Sequence, residues 1–338
     1  MKKTITLTLS LVFVIALIIT QTGCSGKTEP VSKTSYYMDT ICEITIYDMD
    51  DMSQDAAASA IDDAFSLCAD LEGLISMTKE ESDIYKVNHA KGTPVKCSPE
   101  TIEVVKMGID YGDLSGGLFD ITIGKVSDLW DFHGEGKKLP DRSAVKAALD
   151  DVDYKTIHIS GNTITMANPK AEINLGGIGK GFVADKAAAK LQELGVTSAI
   201  VNFGGNIVTI GDKDGTPFKI GVEQPFSDQN GIIGSVDVKD AVVVTSGTYE
   251  RFIEVGGKKY HHILDVNTGY PVNTDVTGVS LVGKIGNSSQ CDALSTICLI
   301  LGVDDGLKLI ENTSGVEAVF IDKDGKTHTS SGMKFDKI

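Results

Sequence analysis

The sequence has no basic run beyond its opening residues, and its formal charge is −16. A surface of that sign repels phosphate backbones, which excludes nucleic acid as a partner. Cysteine is sparse: Cys24, Cys42, Cys68, Cys97, Cys291 and Cys298 form no close pairs and no Cys-x-x-Cys or His-Cys cluster. Neither a disulfide framework nor a zinc site is therefore expected, and Cys68, Cys291 and Cys298 lie in apolar patterns that suit a core. Internal repeats and low-complexity tracts are also missing. So are both familiar phosphate-loop spellings. Lys180 is followed by Gly181 where a Walker loop needs Ser or Thr, and Gly177-Ile178-Gly179-Lys180-Gly181 is not Gly-x-Gly-x-x-Gly.

What is present begins with an N-terminal address. Lys2 and Lys3 precede a run from Ile5 to Thr20 that is apolar or hydroxylated, and Thr22-Gly23 stand directly before Cys24. Such a run suits a secretory signal and is too short and wrongly flanked for a lasting membrane span. Small residues before a cysteine resemble a lipoprotein processing site, so Cys24 is expected to carry lipid; a plain secretory signal with an incidental cysteine is the alternative. The expected organisation is a signal over 1–23, a lipidated cysteine and tether over 24–34, and one large domain over 35–338. Loss of Lys2 and Lys3 with the signal takes the charge from −16 to −18.

Periodicity predicts a strand over 41–47 and a helix from Ser53 to Met77, on which Ala57, Ile61, Phe65, Cys68, Leu71 and Ile75 recur at three and four. A second helix opens at Ser98-Pro99. Hairpins are expected around Gly161-Asn162 and Asp324-Gly325, a helix over Gly181 to Leu194, and strand–turn–strand over 198–211. Strands are expected at 217–223, 232–246, 251–264 (turning at Gly256-Gly257) and 276–283, with helices at 290–301 and 303–312. Hairpins interspersed with helices predict an α+β fold of mixed and antiparallel sheets with packed helices.

Four segments carry candidate chemistry. The stretch Glu172 to Ala188 brings glycines and Lys180 to the start of a helix, where backbone N–H groups and the dipole favour an anion. A tight strand-to-helix turn with a surface lysine has the same spelling. Asp292 and Thr296 are four apart, on one helix face with Ser295 beside them, and offer hard oxygens to magnesium. Helix capping by Asp292 explains that residue without a metal. His261 and His262 are adjacent, so a strand turns only one of them to a given side; that one suits a general base or a satisfied core residue. The segment 116–132 holds Phe119-Asp120 and the single tryptophan, Trp130, which suit either a cover for a flat ring or a core.

The order and spelling of these segments resemble the ApbE family, flavin transferases that move FMN from FAD onto proteins. The resemblance rests on Met38 to Thr40, Ser82 to Asn88, Gly117 to Gly124, Asn174 to Asp185, Val201 to Asn206, Thr245 to Gly247, His262 to Pro271 and Asp292 to Gly302. It implies an ApbE-like, T-fold-like architecture, FAD as substrate and Mg2+ as cofactor. It implies metal contacts from Asp292, Thr296 and the Gly177 carbonyl, with Ser295 close by. FAD contacts carry over to Met38, Leu118, Phe119, Asp120, Asn174, Lys180 and Leu264, and the role of base to His262. The implied partners are acceptor proteins of membrane or extracytoplasmic electron transfer, and the implied location is the outer face of a bacterial cell membrane. Asn174 stands where several relatives have Asp, Thr78 where an aromatic is frequent, and Val266 where proline is usual. An FAD pyrophosphatase and a flavin-binding lipoprotein without chemistry are the competing functions.

Overall fold

The structure, a computed structural model, describes residues 29–47, 52–132, 138–226 and 231–338. Cys24 and the expected signal lie outside the described residues. The chain opens with β1 (Val31–Tyr37) and β2 (Thr40–Ile46), then α1 (Gln54–Ile75), α2 (Asp83–His89), β3 (Val95–Lys96), α3 (Pro99–Leu114), α4 (Gly124–Trp130) and α5 (Arg142–Leu149). The hairpin β4 (Ile157–Ser160) and β5 (Thr163–Met166) precedes α6 (Gly179–Glu193), β6 (Ala199–Phe203), β7 (Asn206–Ile210), β8 (Phe218–Glu223), β9 (Ile232–Val238) and β10 (Ala241–Gly247). Then come β11 (Phe252–Val255), β12 (Lys258–His261), β13 (Val276–Lys284), α7 (Ser288–Glu311), β14 (Val316–Asp322), β15 (Thr327–Thr329) and β16 (Asp336–Lys337).

The centre is an eight-stranded sheet in the order β1-β2-β6-β7-β10-β13-β14-β15. Alternation along each strand assigns its two faces. In β2, Cys42, Ile44 and Ile46 are buried, whereas Ile41 and Glu43 are exposed. The buried set joins the apolar sides of α1, α6 and α7 in the main core. The opposite face is covered at one end by the small sheet β16-β9-β8, whose Phe218, Ile220, Val236 and Val238 pack on Val243, Ile200 and Ile207. The architecture is α+β with antiparallel sheets, as expected. Among the described residues every named strand pair is antiparallel, and the parallel contact is an isolated bridge between Ile123 and Glu172.

Two expected boundaries change. The tether over 24–34 gives way to strand at Val31, because Val31 to Tyr37 pair with β2 and Lys33 reaches Asp62 on α1 at 2.7 Å. The expected strand 232–246 is two strands in different sheets. Asp240, with a positive φ of 46°, turns the chain, and its carboxylate accepts from Gly211 N–H at 2.7 Å. The break inside 290–312 is as expected: Gly302 has φ 83° within α7, and Asp275 accepts from Val303 N–H at 3.2 Å to start the second half. All five described cysteines are free and buried.

The helices α6 and α7 meet at Gly181. A Cβ there would stand 2.3 Å from Ser288 O and 2.7 Å from Ser289 Cα, both backbone atoms that cannot swing aside. Gly73, inside α1, has open space at the same position. Gly181→Ala is therefore expected to destabilise by about 2–4 kcal/mol through forced separation of the helices. Gly73→Ala is expected to stabilise by up to about 1 kcal/mol through helix propensity. Urea unfolding of both variants against the parent checks the two signs.

Candidate active site

A cavity of about 1240 Å³ runs from the N-terminal ends of α6 and α7 across the turns at one end of the large sheet. Its floor is the glycine turn before α6. Ile178 and Gly179 N–H both donate to Leu175 O, which folds the chain tightly before the helix begins. A Cβ on Gly177 would stand 2.8 Å from the Phe119 ring and 3.6 Å from Thr296 Oγ1. The missing side chain thus lets the turn lie between that ring and α7.

Asp292 projects from α7 into the start of α6. Its Oδ2 accepts from Gly181 N–H at 2.9 Å and its Oδ1 from Lys180 Nζ at 3.1 Å. The capping expectation is met in an unexpected way, since Asp292 serves the neighbouring helix rather than its own. Thr296 lies one turn on and lines the same cavity. The Asp292 carboxylate, the Thr296 hydroxyl and the backbone of Gly177, which all line the cavity, offer hard oxygens with little charge. That donor set fits magnesium, which keeps waters and shares its sphere with phosphate oxygens. Among the described residues no group of three His, Cys, Asp or Glu side chains offers a competing metal cluster.

Ser295, expected close to the metal, lies next to Asp292, but its side chain does not line the cavity. It is fully buried, donates to Asp292 O at 2.7 Å and bonds Ser246 Oγ at 2.8 Å. It sits behind the site and ties α7 to β10 instead of lining the cavity. Met38, Leu118, Phe119, Asp120, Asn174, Lys180 and Leu264 all line it. Met38 has φ 53°, and its N–H is held by Glu72 Oε1 at 2.9 Å. The Asp120 carboxylate is occupied: Oδ1 accepts from Thr122 N–H and Oγ1–H, and Oδ2 from Tyr154 N–H. It therefore shapes the loop that presents Leu118 and Phe119. Asn174 Oδ1 accepts from Gly176 N–H at 2.8 Å and stiffens the glycine turn. Trp130 belongs to the core, with its indole N–H on Gly269 O at 2.7 Å.

The two histidines separate as alternation requires. His261 bonds Val272 O, while His262 lines the cavity. The Arg251 carbonyl accepts from His262 N–H at 3.1 Å and lies 3.2 Å from its Nδ1. Only a protonated Nδ1 makes that second bond, so Nε2 carries the lone pair. Burial, with Arg251 and Lys180 adding repulsion, pushes His262 down to about 3. Glu250 also lines the cavity and was not foreseen in the sequence. Much of its surface is open to the cavity, yet protein surrounds it beyond the first layer. That burial, reinforced by the Asp292 carboxylate and opposed by Lys180, pushes it up to about 7.

The ApbE family model matches residues 38–320. The chain belongs to the ApbE family. It is 30% identical to the FAD:protein FMN transferase of Treponema pallidum, over 92% of this chain and 90% of that protein. It is 31% identical to an FAD:protein FMN transferase of Klebsiella pneumoniae, over 80% and 84%. Among solved structures, the ApbE protein of Thermotoga maritima superposes with a TM-score of 0.80 at 28% identity, covering 89% of this chain and 97% of that one. The flavin transferase ApbE of Vibrio cholerae gives 0.77 at 27%, covering 90% and 97%.

Because His262 ordinarily titrates near 6.5 and here near 3, the unfolded chain takes up a proton that the folded chain refuses. Stability from this group is full above 6.5, falls as pH drops through that value, and goes on falling toward 3. Between pH 7 and 5 the loss is up to about 2 kcal/mol. His262→Gln is expected to lose correspondingly less over the same interval, read by urea unfolding of both proteins in chelator.

Proposed function

We propose that this ApbE-family chain transfers FMN from FAD to a Ser or Thr hydroxyl of an acceptor protein, with Mg2+ as cofactor. The observation that carries the reading is the convergence of Asp292, Thr296, Gly177 and Lys180 on one cavity wall, with a neutral imidazole on the same cavity. The names of the relatives at 30% and 31% identity support it.

Asp292, Thr296 and the Gly177 carbonyl would hold the metal, which supplies Lewis-acid charge to the pyrophosphate when bound. Lys180 balances phosphate charge and, at the N-terminus of α6, adds to the positive dipole end. Phe119, Leu118 and Met38 give the nucleotide apolar walls. His262 Nε2 takes the proton from the acceptor hydroxyl as its oxygen bonds to the FMN phosphorus. The bond from that phosphorus to the bridging oxygen breaks, and AMP leaves with its new charge beside Lys180. Burial keeps His262 unprotonated at neutral pH, so it is always ready to accept.

Asp292→Asn retains an acceptor for Gly181 N–H but removes the charge. It is expected to lower metal-dependent transfer by at least about 10²-fold with an unchanged circular-dichroism spectrum. His262→Ala is expected to bind FAD as the parent does while transferring about 10²- to 10⁴-fold more slowly. Flavin fluorescence on the acceptor band of a denaturing gel, with AMP quantified alongside, reads both. AMP with free FMN and a dark band would instead indicate an FAD pyrophosphatase. AMP formation at the parent rate by Asp292→Asn would remove the metal assignment.

The same reading extends to place. Lipid on Cys24 would hold the enzyme at the outer face of the membrane, with residues 25–30 linking the anchor to β1. No helix among the described residues is long and apolar enough to cross a bilayer. Cys24→Ala is expected to move the enzyme from the membrane fraction to the soluble extracytoplasmic fraction, with its activity on FAD unchanged.

A further inference from the structure

The cavity has two parts. One is the nucleotide side described above, between α1, the glycine turn and α7. The other passes over a ridge of turns, formed by Met38-Asp39 and Gly204-Gly205, onto the face of the large sheet that carries no helices. There the wall is Ile41 and Glu43 of β2, Asn202 of β6 and Ile207 of β7, with Glu223 and Tyr249 opposite. The small sheet covers only the far end of this face, so the near end lies open.

This open end is unusually apolar at its rim. Ile41 is 65% exposed, and its cross-strand neighbour Tyr36 is 64% exposed. On the other side Phe226 is 50% exposed and stands against Tyr249, while Ile232 is 48% exposed and packs at Gly221. Four of the eight exposed large apolar side chains in the described residues thus border one lobe. Exposed apolar side chains beside a cavity, with polar groups among them, mark a binding face. None of the residues expected to contact FAD belongs to the strands that form this lobe.

We propose that this second lobe receives the segment of the acceptor protein that carries the reacting hydroxyl. The assignment rests on the transferase reading, which requires a macromolecular substrate to reach His262 from outside the nucleotide site. Continuity decides the occupant: the lobe and the His262 imidazole line one cavity, so a segment lying on Ile41 shares that cavity with the base. Its chemistry follows from the walls. An apolar side chain near the hydroxyl covers Ile41, and the backbone meets the Asn202 amide. Glu43 and Glu223 both line the cavity here, and their charge disfavours a carboxylate on the acceptor segment.

The experiment uses Ile41→Asp on one wall and Glu223→Trp on the other, with Leu114→Asp as an exposed control outside the cavity. The probe is an acceptor domain that the parent flavinylates, titrated with saturating FAD and Mg2+. Both lobe variants are expected to raise the KM for the acceptor domain at least about tenfold, with kcat and FAD affinity at parent values. The control is expected to behave as the parent. An unchanged KM overturns the proposal, and so does weakened FAD binding, because the lobe would then belong to the flavin. If the parent labels no acceptor while releasing FMN and AMP, the transferase reading itself falls and the docking proposal falls with it.

Discussion

Two aspartates each cap the other's helix, and the site depends on that exchange. Asp292 on α7 accepts from the third N–H of α6, and Asp185 on α6 accepts from Ser288 and Ser289 N–H at the start of α7. Ser289 Oγ adds a further bond to Asp185 at 2.8 Å. Each helix start has unsatisfied donors and a positive dipole end, and each receives a carboxylate from its partner. The cost of burying two acids is met by these bonds; burial alone pushes Asp185 up, and the three donors from α7 pull it back. Gly181 is what lets the helix starts come close enough. A side chain at 181 would separate them, and the distance from Lys180 to Asp292 would be lost with the capping.

That exchange also fixes the site's electrostatics. Asp292 Oδ2 is spent on the fold through Gly181 N–H, while Oδ1 is bonded to Lys180 on the cavity side. A carboxylate oxygen has capacity for more than one partner, so structural and metal-binding roles can share one residue. Thr296 and Ser295 divide along the same lines. Positions i and i+4 share a face of α7, which puts Thr296 in the cavity with Asp292. The hydroxyl of Ser295 is drawn away by Ser246 on β10 and by the Asp292 carbonyl.

Most of the fold was legible because its helices and strands have one buried side each. The pattern on α1 repeats at three and four from Ala57 to Ile75, and these residues are buried. The break at Gly302 was legible as a glycine in an otherwise apolar run. The break at Asp240 was not, because no Gly or Pro marks it, and its left-handed turn is stabilised by Gly211, a residue distant in sequence. The site was legible as motifs but not as a division of labour. Spacing put Thr296 on the face of Asp292, but the partner that takes the Ser295 hydroxyl, Ser246, is on β10 and leaves no local signal. Glu250 carries no local signal at all; what makes it notable is its nearness to Lys180 and Asp292, contributed by segments far along the chain. The choice between His261 and His262 needed the strand's orientation, which alternation requires but does not specify.

On the proposed mechanism, the cations beside His262 link its basicity to the phosphate site. Burial is the main cause of its depressed basicity, and Arg251 and Lys180 deepen it. A base held near 3 is always unprotonated but a poor match for a hydroxyl proton. An anion bound against Lys180 offsets part of that repulsion and stabilises the imidazolium, raising the basicity of Nε2. On the proposed mechanism, the group to be transferred would thereby improve the base that activates its acceptor. With no phosphate in place, the same imidazole is weak toward water or any other hydroxyl that enters. Under that mechanism proton abstraction would be coupled through charge to occupancy of the phosphate site. Lys180 lies on the first turn of α6, where it is held by Asp292, and its charge acts on His262 from there.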